Sequence, residues 1–231
     1  PALCFLAGAC LFLAGAVFLG PRKNARLDHA NIPFIILGTG LLWFGWFGFN
    51  AGSALGANAD AVLAFANTHF ASAAGMITWI FFERFQGRKM NAVGACIGAI
   101  VGLVAITPAA GFVTIQESIL IGFAAALVSN WAIARQKRSG LDDTLDVFPS
   151  HGVGGMVGMV LTGVFAAEVG LTSGVYSTFI WHLIALVGTA AFTFGGSYII
   201  FTLVDLAIPL RVSGWQETLG LDESQHGEQL D

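Results

Sequence analysis

Seven stretches of this chain contain no Asp, Glu, Lys or Arg: residues 1 to 21, 29 to 59, 61 to 82, 90 to 116, 118 to 134, 147 to 167 and 169 to 204. A helix rises about 1.5 Å per residue and needs about 20 mostly apolar residues to cross the hydrocarbon of a bilayer. Each run can hold one such helix. The pattern therefore predicts an all-α, polytopic membrane bundle of about seven transmembrane helices. Composition points the same way, since 56% of the 231 residues are hydrophobic, 10% are charged and the mean hydropathy is +0.77. A soluble domain of this length could not hide that much apolar surface in one core.

The charges between the runs set a topology. Arg22, Lys23 and Arg26 follow the first run, Arg84, Arg88 and Lys89 the third, Arg135, Lys137 and Arg138 the fifth, and Arg211 the last. The intervening connections, 55 to 60 and around 107 to 111, carry no base, and the sixth run ends at Glu168. All ten basic residues thus fall on one side of the membrane, which the positive-inside rule makes cytoplasmic. Pro1 is then outside. Residues 1 to 207 form the membrane domain and residues 208 to 231 a cytoplasmic tail, too polar for an eighth span.

Several classes are excluded at this level. The net charge of -4 says little, since it comes mostly from the last fifteen residues and not from a patch facing nucleic acid or anionic lipid, and no nucleic-acid partner is expected. Lys23, Lys89 and Lys137 are the only lysines and all lie in connections, which rules out a retinal Schiff base inside a helix. Cys4, Cys10 and Cys96 sit in apolar runs without paired spacing, as packed hydrophobes rather than disulfide or metal ligands. Thirty glycines, such as Gly94, Gly98 and Gly102 at spacing four, read as close helix packing in lipid. The first run has its bases after it, the wrong polarity for a signal peptide, and the chain is expected to start inside a longer protein.

Polar residues inside the spans carry the chemistry. Near the outer end of the second run, Trp46, Phe49 and Ser53 recur at spacings of three and four, placing two rings and a hydroxyl on one helical stripe. Two readings follow: an aromatic belt at the membrane interface, or a site that holds a small cation by its π faces and one hydrogen bond. At the inner end of the sixth run, the stretch from Asp146 to Gly155 carries His151, with Asp146 as a candidate cap and Pro149 suited to a first turn. The imidazole is either satisfied by nearby backbone or water, or it lines a path. A regular helix starting at Asp146 or Pro149 would hold His151 only in the inner third. To bring it to mid-depth, residues 146 to 150 must enter as irregular backbone, which is tolerated only beside a cavity. His69 and His182 lack aromatic or glycine-rich company along the sequence and read as packing or interface residues, while His29 and His226 are in cytoplasmic segments. Asp205 is expected to meet interfacial water or an arginine.

The string Gly-Trp-Phe-Gly-Phe-Asn-Ala-Gly-Ser ending at Ser53, the string Asp-Val-Phe-x-x-His-Gly-x-x-Gly starting at Asp146, and Leu-Arg-Val at 210 to 212 with Gly-Leu-Asp-x-Ser-x-His-Gly-Glu ending at Glu228 together resemble the ammonium transporter (Amt/Mep/Rh) family. The similarity runs from about Leu11 to Gln229. It implies an eleven-helix fold of two inverted halves of five, of which this chain holds the fifth to eleventh helices. It further implies a non-enzymatic channel or transporter for ammonium or ammonia in the cell membrane, without cofactor. A homotrimer with one pore per subunit is implied, with the tail beneath a neighbouring subunit and a PII-type regulator on the cytoplasmic face. Carried over by residue, Trp46 lies beside the pore, Phe49 is the second of two gate phenylalanines, Ser53 helps hold ammonium, and His151 is the second of two paired pore histidines. Phe5 stands where the first pore histidine is expected. The competing readings are an ammonium sensor of transporter-like build and a non-conducting fragment.

Overall fold

Helix starts in this chain are written by side chains that catch orphan amides. Asn31, Asn58 and Asn91 adopt extended backbone, and their side-chain oxygens accept from Phe34 N, Ala61 N and Gly94 N at 3.1, 3.0 and 2.8 Å. Thr114 and Glu117 form a reciprocal capping box. The resulting helices, in a computed structural model describing residues 2 to 23, 29 and 31 to 228, with side chains from residue 6 onward, are α1 (Ala2–Leu19), α2 (Ile32–Ala51), α3 (Ala59–Phe85), α4 (Ala92–Ile106), α5 (Ile115–Ser139), α6 (Val153–Phe165), α7 (Tyr176–Ala207) and the short α8 (Gly214–Leu219). Seven apolar helices occupy the seven expected places. Four of the spans, Ile32–Ala54, Ile115–Ser139, Phe148–Phe165 and Tyr176–Ala207, are long and apolar enough to cross a membrane. α4 and the described part of α1 are shorter, and α3 is long but carries Asn67, Thr68, His69 and Ser72 in its middle.

The tightest packing joins α3 to α4 and α5, and glycine is the reason. A Cβ on Gly98 would collide with the Trp79 side chain, and one on Gly102 or Gly122 would collide with the Ala71 carbonyl. Only backbone fits there, as small-residue faces in lipid require. Around this seam lie the buried Ala64, Ala71, Trp79, Val101, Ile106 and Ile121. A second cluster, Leu6, Cys10 and Met159 with Phe148 and Leu186, joins α1, α6 and α7. Cys10 and Cys96 are buried free thiols. Cys4 and Phe5 lie outside the residues whose side chains are described.

The ends facing the basic connections are clasped by ion pairs. Arg22 donates to both carboxylate oxygens of Asp142 at 2.7 and 2.8 Å, a bidentate pair that holds the Asp142 carboxyl below its usual range. Arg211, in the tail, donates to the carbonyls of Leu19 and Pro21 and pairs with Glu217 at 3.2 Å, while Glu217 also accepts the Lys23 amide at 2.6 Å. The tail is thereby tied to the end of α1. Asp205 is exposed, and its carboxylate accepts the Leu210 amide at 2.8 Å and so shapes the turn out of α7.

Candidate functional site

The regular helix α2 places Trp46 and Phe49 together, and Ser53 follows in the single 3-10 turn Gly52–Ala54 that caps its end. The Trp46 and Phe49 rings lie 6.0 Å apart in an edge-on arrangement, with Trp46 buried and Phe49 42% exposed. Trp46 is fixed by its indole N–H, which donates to Thr107 Oγ1 at 2.9 Å, and the Thr107 hydroxyl donates in turn to the Leu103 carbonyl at 2.8 Å. The Ser53 hydroxyl donates to the Phe49 carbonyl at 2.7 Å. With its proton committed, Ser53 Oγ presents acceptor lone pairs outward. That is the polarity a hydrogen-bond-donating cation needs.

Ser53 opens onto a cavity of about 530 Å³ whose lining includes Asn50, Asp60, Thr107, Met159 and His182. Four of these were not singled out by sequence reasoning as site residues: Asn50, Asp60, Thr107 and Met159. Asn50 donates to Thr68 at 2.9 Å, and Asp60, in the first turn of α3, brings a carboxylate to the same space as Ser53. His182 was read as a packing residue; its ring nitrogen lies 2.9 Å from the Met159 carbonyl and the residue also lines the cavity. His69 has aromatic company, Phe70 of its own helix at 5.6 Å and Trp43 and Phe47 of α2 at 5.6 and 6.3 Å between ring centres.

His151 occupies a different kind of structure. Residues Phe148–Gly152 form one turn of π-helix that runs into α6. The irregular backbone expected before this histidine is present, but its cap is not Asp146. Asp146 has φ of 51°, a left-handed conformation that aspartate tolerates, and its carboxylate turns to Lys137 at 3.4 Å. Burial pushes that carboxyl above its usual range while Lys137 pulls the other way. The cap is Asp143, whose two oxygens accept the amides of Val147 and Phe148 at 3.0 and 2.7 Å. Glycine closes the turn, since a Cβ on Gly152 would press on Phe148 and Ala9 of α1. His151 itself is half-buried.

The outer group and His151 are not one cluster. α2 packs on α3 and α4, whereas the π turn packs on α1, α4 and α5, so α4 is their shared wall. α6 links them in depth: Met159 lines the outer cavity, and His151 lies eight residues earlier, about 12 Å further along at the usual helical rise.

Residues 4–230 match the sequence profile of the Ammonium Transporter Family. The chain belongs to this family. It is 43% identical over 222 residues to an ammonium transporter of Bacillus subtilis, a match covering 92% of this chain and 55% of that protein. Among solved structures it superposes on Saccharomyces cerevisiae Mep2 with a TM-score of 0.86 at 34% identity, covering 92% of this chain and 52% of Mep2. It superposes on a protein described as a sensor Amt protein with a TM-score of 0.88 at 27% identity, covering 97% and 59% respectively. The chain spans about half the length of the curated relatives it matches. The family carries the multi-pass membrane reading.

Proposed function

We propose that this chain is the fifth-to-eleventh-helix part of an ammonium transporter, that Trp46, Phe49 and Ser53 recruit ammonium at the outer face, and that His151 lines the path inward. The observation that carries the reading is the outward acceptor at Ser53, set beside two aromatic rings and above a cavity that α6 connects in depth to His151. Ammonium matches potassium in charge and nearly in size, so charge alone does not select it. Ammonium donates hydrogen bonds, and an oxygen whose own proton is engaged can only accept. Aromatic faces add attraction where water is excluded.

Carrying a bare ion through an apolar path is opposed by a desolvation penalty of tens of kcal/mol in a low-dielectric medium. An imidazole has both a donor and an acceptor nitrogen when neutral. It can hold ammonia by hydrogen bonds after the proton has left, so the neutral species makes the apolar passage and the proton travels separately or stays behind. The cell membrane, with tail inside, is the location the charge pattern supports. Three copies per assembly and a PII-type regulator at the cytoplasmic face are the remaining parts of this proposal, drawn from family resemblance.

The test is uptake of labelled methylammonium by cells that lack their own ammonium uptake and carry the intact gene. Replacing both Ser53 and His151 with alanine is expected to remove uptake at unchanged protein amount in the membrane. Unaltered uptake would overturn the proposal. A second reading, a sensor, draws on the likeness to the sensor Amt protein and on Phe5 at the place expected for the first pore histidine. It predicts saturable ammonium binding without uptake in the same cells.

A further inference from the structure

Three carboxylates lie in the connection before His151, and the structure gives each a separate task. Asp142 is spent on Arg22, and Asp146 faces Lys137. Asp143 alone turns both oxygens to the backbone that leads into the π turn, accepting the amides of Val147 and Phe148, while its carbonyl accepts the Asp146 amide at 3.0 Å. Those bonds close the chain around the left-handed Asp146 and deliver Phe148 to the start of the π turn, in which His151 is the fourth residue. We infer that Asp143 is a positioning residue for transport, fixing the direction in which His151 presents its ring.

The physical reason is rotational. A π turn holds one residue more than the α-helical turn it replaces, and one residue corresponds to about 100° around the helix axis. Without an acceptor at Asp143, two first-turn amides are orphaned, for which no helix supplies a partner, and the anchor that fixes where the turn begins is lost, so the segment can shift between π and α register. His151 would then rotate out of line with α6 while remaining in the protein. Asp142 cannot substitute, because Arg22 occupies both of its oxygens and also donates its amide to one of them at 2.9 Å. Gly152 seats the far end of the turn against α1, so the entry at Asp143 is the end left to set the register.

This inference rests on the reading that His151 lines the conducting path. It is tested in the intact protein with Asp143→Ala, His151→Ala, the double variant, and Asp143→Asn, which keeps one acceptor oxygen. Methylammonium uptake is measured per molecule in the membrane, as maximal rate and half-saturating concentration. Asp143→Ala is expected to lower the maximal rate at least tenfold and to leave the half-saturating concentration within twofold, because Ser53 and its rings are untouched. Asp143→Asn is expected to lie between Asp143→Ala and the parent. In the double variant the two losses should not multiply, since both act through one ring. A purely structural role would lower the amount of protein with an unchanged rate per molecule, or give losses that multiply. Either result overturns the positioning role while leaving the pore reading standing. A parent-like rate for His151→Ala would instead remove the pore reading, and this inference with it. Should Asp143→Ala fail to reach the membrane, Asp143→Asn decides by the same comparison.

Discussion

The outer end of α2 and the entry to α6 solve the same problem, presenting a polar group inside an apolar bundle, by opposite means. On α2 the backbone is regular up to Ala51 and the sequence interval aligns Trp46 and Phe49, while Ser53, in the 3-10 turn just beyond, is held by its bond to the Phe49 carbonyl. Their chemistry is then tuned by partners from other helices, Thr107 on the indole above all. At His151 the backbone itself is irregular, and its shape depends on Asp143, on the left-handed Asp146 and on the close seat of Gly152. A regular helix tolerates substitution because each side chain is placed independently. An irregular turn makes several residues answer for the direction of one.

The largest effect that can break this comparison is expected at Gly152. Gly152→Val forces a side chain against Phe148 and Ala9 and should lower the apparent melting temperature and abolish uptake, with a destabilisation on the order of 1–3 kcal/mol for overpacking. Equal stability and uptake in that variant would show that the turn has no tight seat. Next in size is Trp46→Phe, which leaves the buried Thr107 hydroxyl without its indole donor. The hydroxyl still donates to the Leu103 carbonyl, so a loss of about 1.5 kcal/mol, the upper range for one hydrogen bond, is expected, read as a shifted unfolding midpoint in detergent.

The clasp under α1 should matter less. Arg22 and Asp142 are partly exposed, so Arg22→Ala is expected to cost about 1 kcal/mol. The hydrogen bonds from Arg22 lower the Asp142 pKa on folding, so the pair's contribution is fully present above the unfolded value of about 4 and is lost as pH falls through the lower, folded one. Stability of parent and Arg22→Ala should therefore converge in acid; a constant gap down to the lowest pH would contradict the assignment. The smallest effect is expected at Asp60. Asp60→Asn should raise the half-saturating concentration about twofold at low ionic strength and not at high salt, as for a steering charge near an exposed site.

Much of the architecture was legible in the sequence because lipid imposes it. Charge-free runs located seven helices, and glycine at spacing four anticipated the α3–α4 seam, where Gly98 and Gly102 leave no space for a Cβ. Helical periodicity also aligned the rings of α2, with the Ser53 hydroxyl in the 3-10 turn just beyond it. What periodicity cannot tell is which helices meet, so Asp60, His182 and Thr107, contributed by α3, α7 and the α4–α5 connection respectively, were invisible as members of the outer cavity. At the inner site, irregular backbone was the condition for His151 to reach mid-depth, and a π turn over Phe148–Gly152 is present there. The cap was misassigned to Asp146 because the nearest carboxylate was taken for it. A left-handed residue there sends that side chain to Lys137 and hands the cap to Asp143, three residues earlier. Backbone handedness at a non-glycine residue leaves no mark in composition.

The central claim is a division of labour between the two regions, recruitment at Ser53 and conduction past His151. Saturation curves for labelled methylammonium uptake, measured side by side for Ser53→Ala and His151→Ala in the intact protein, test it most directly. The account predicts about a tenfold higher half-saturating concentration with a preserved maximal rate for Ser53→Ala, about the 1.4 kcal/mol of one charge-assisted hydrogen bond. For His151→Ala it predicts a collapsed maximal rate with a preserved half-saturating concentration. Both substitutions moving the same parameter, or neither moving any, would contradict it.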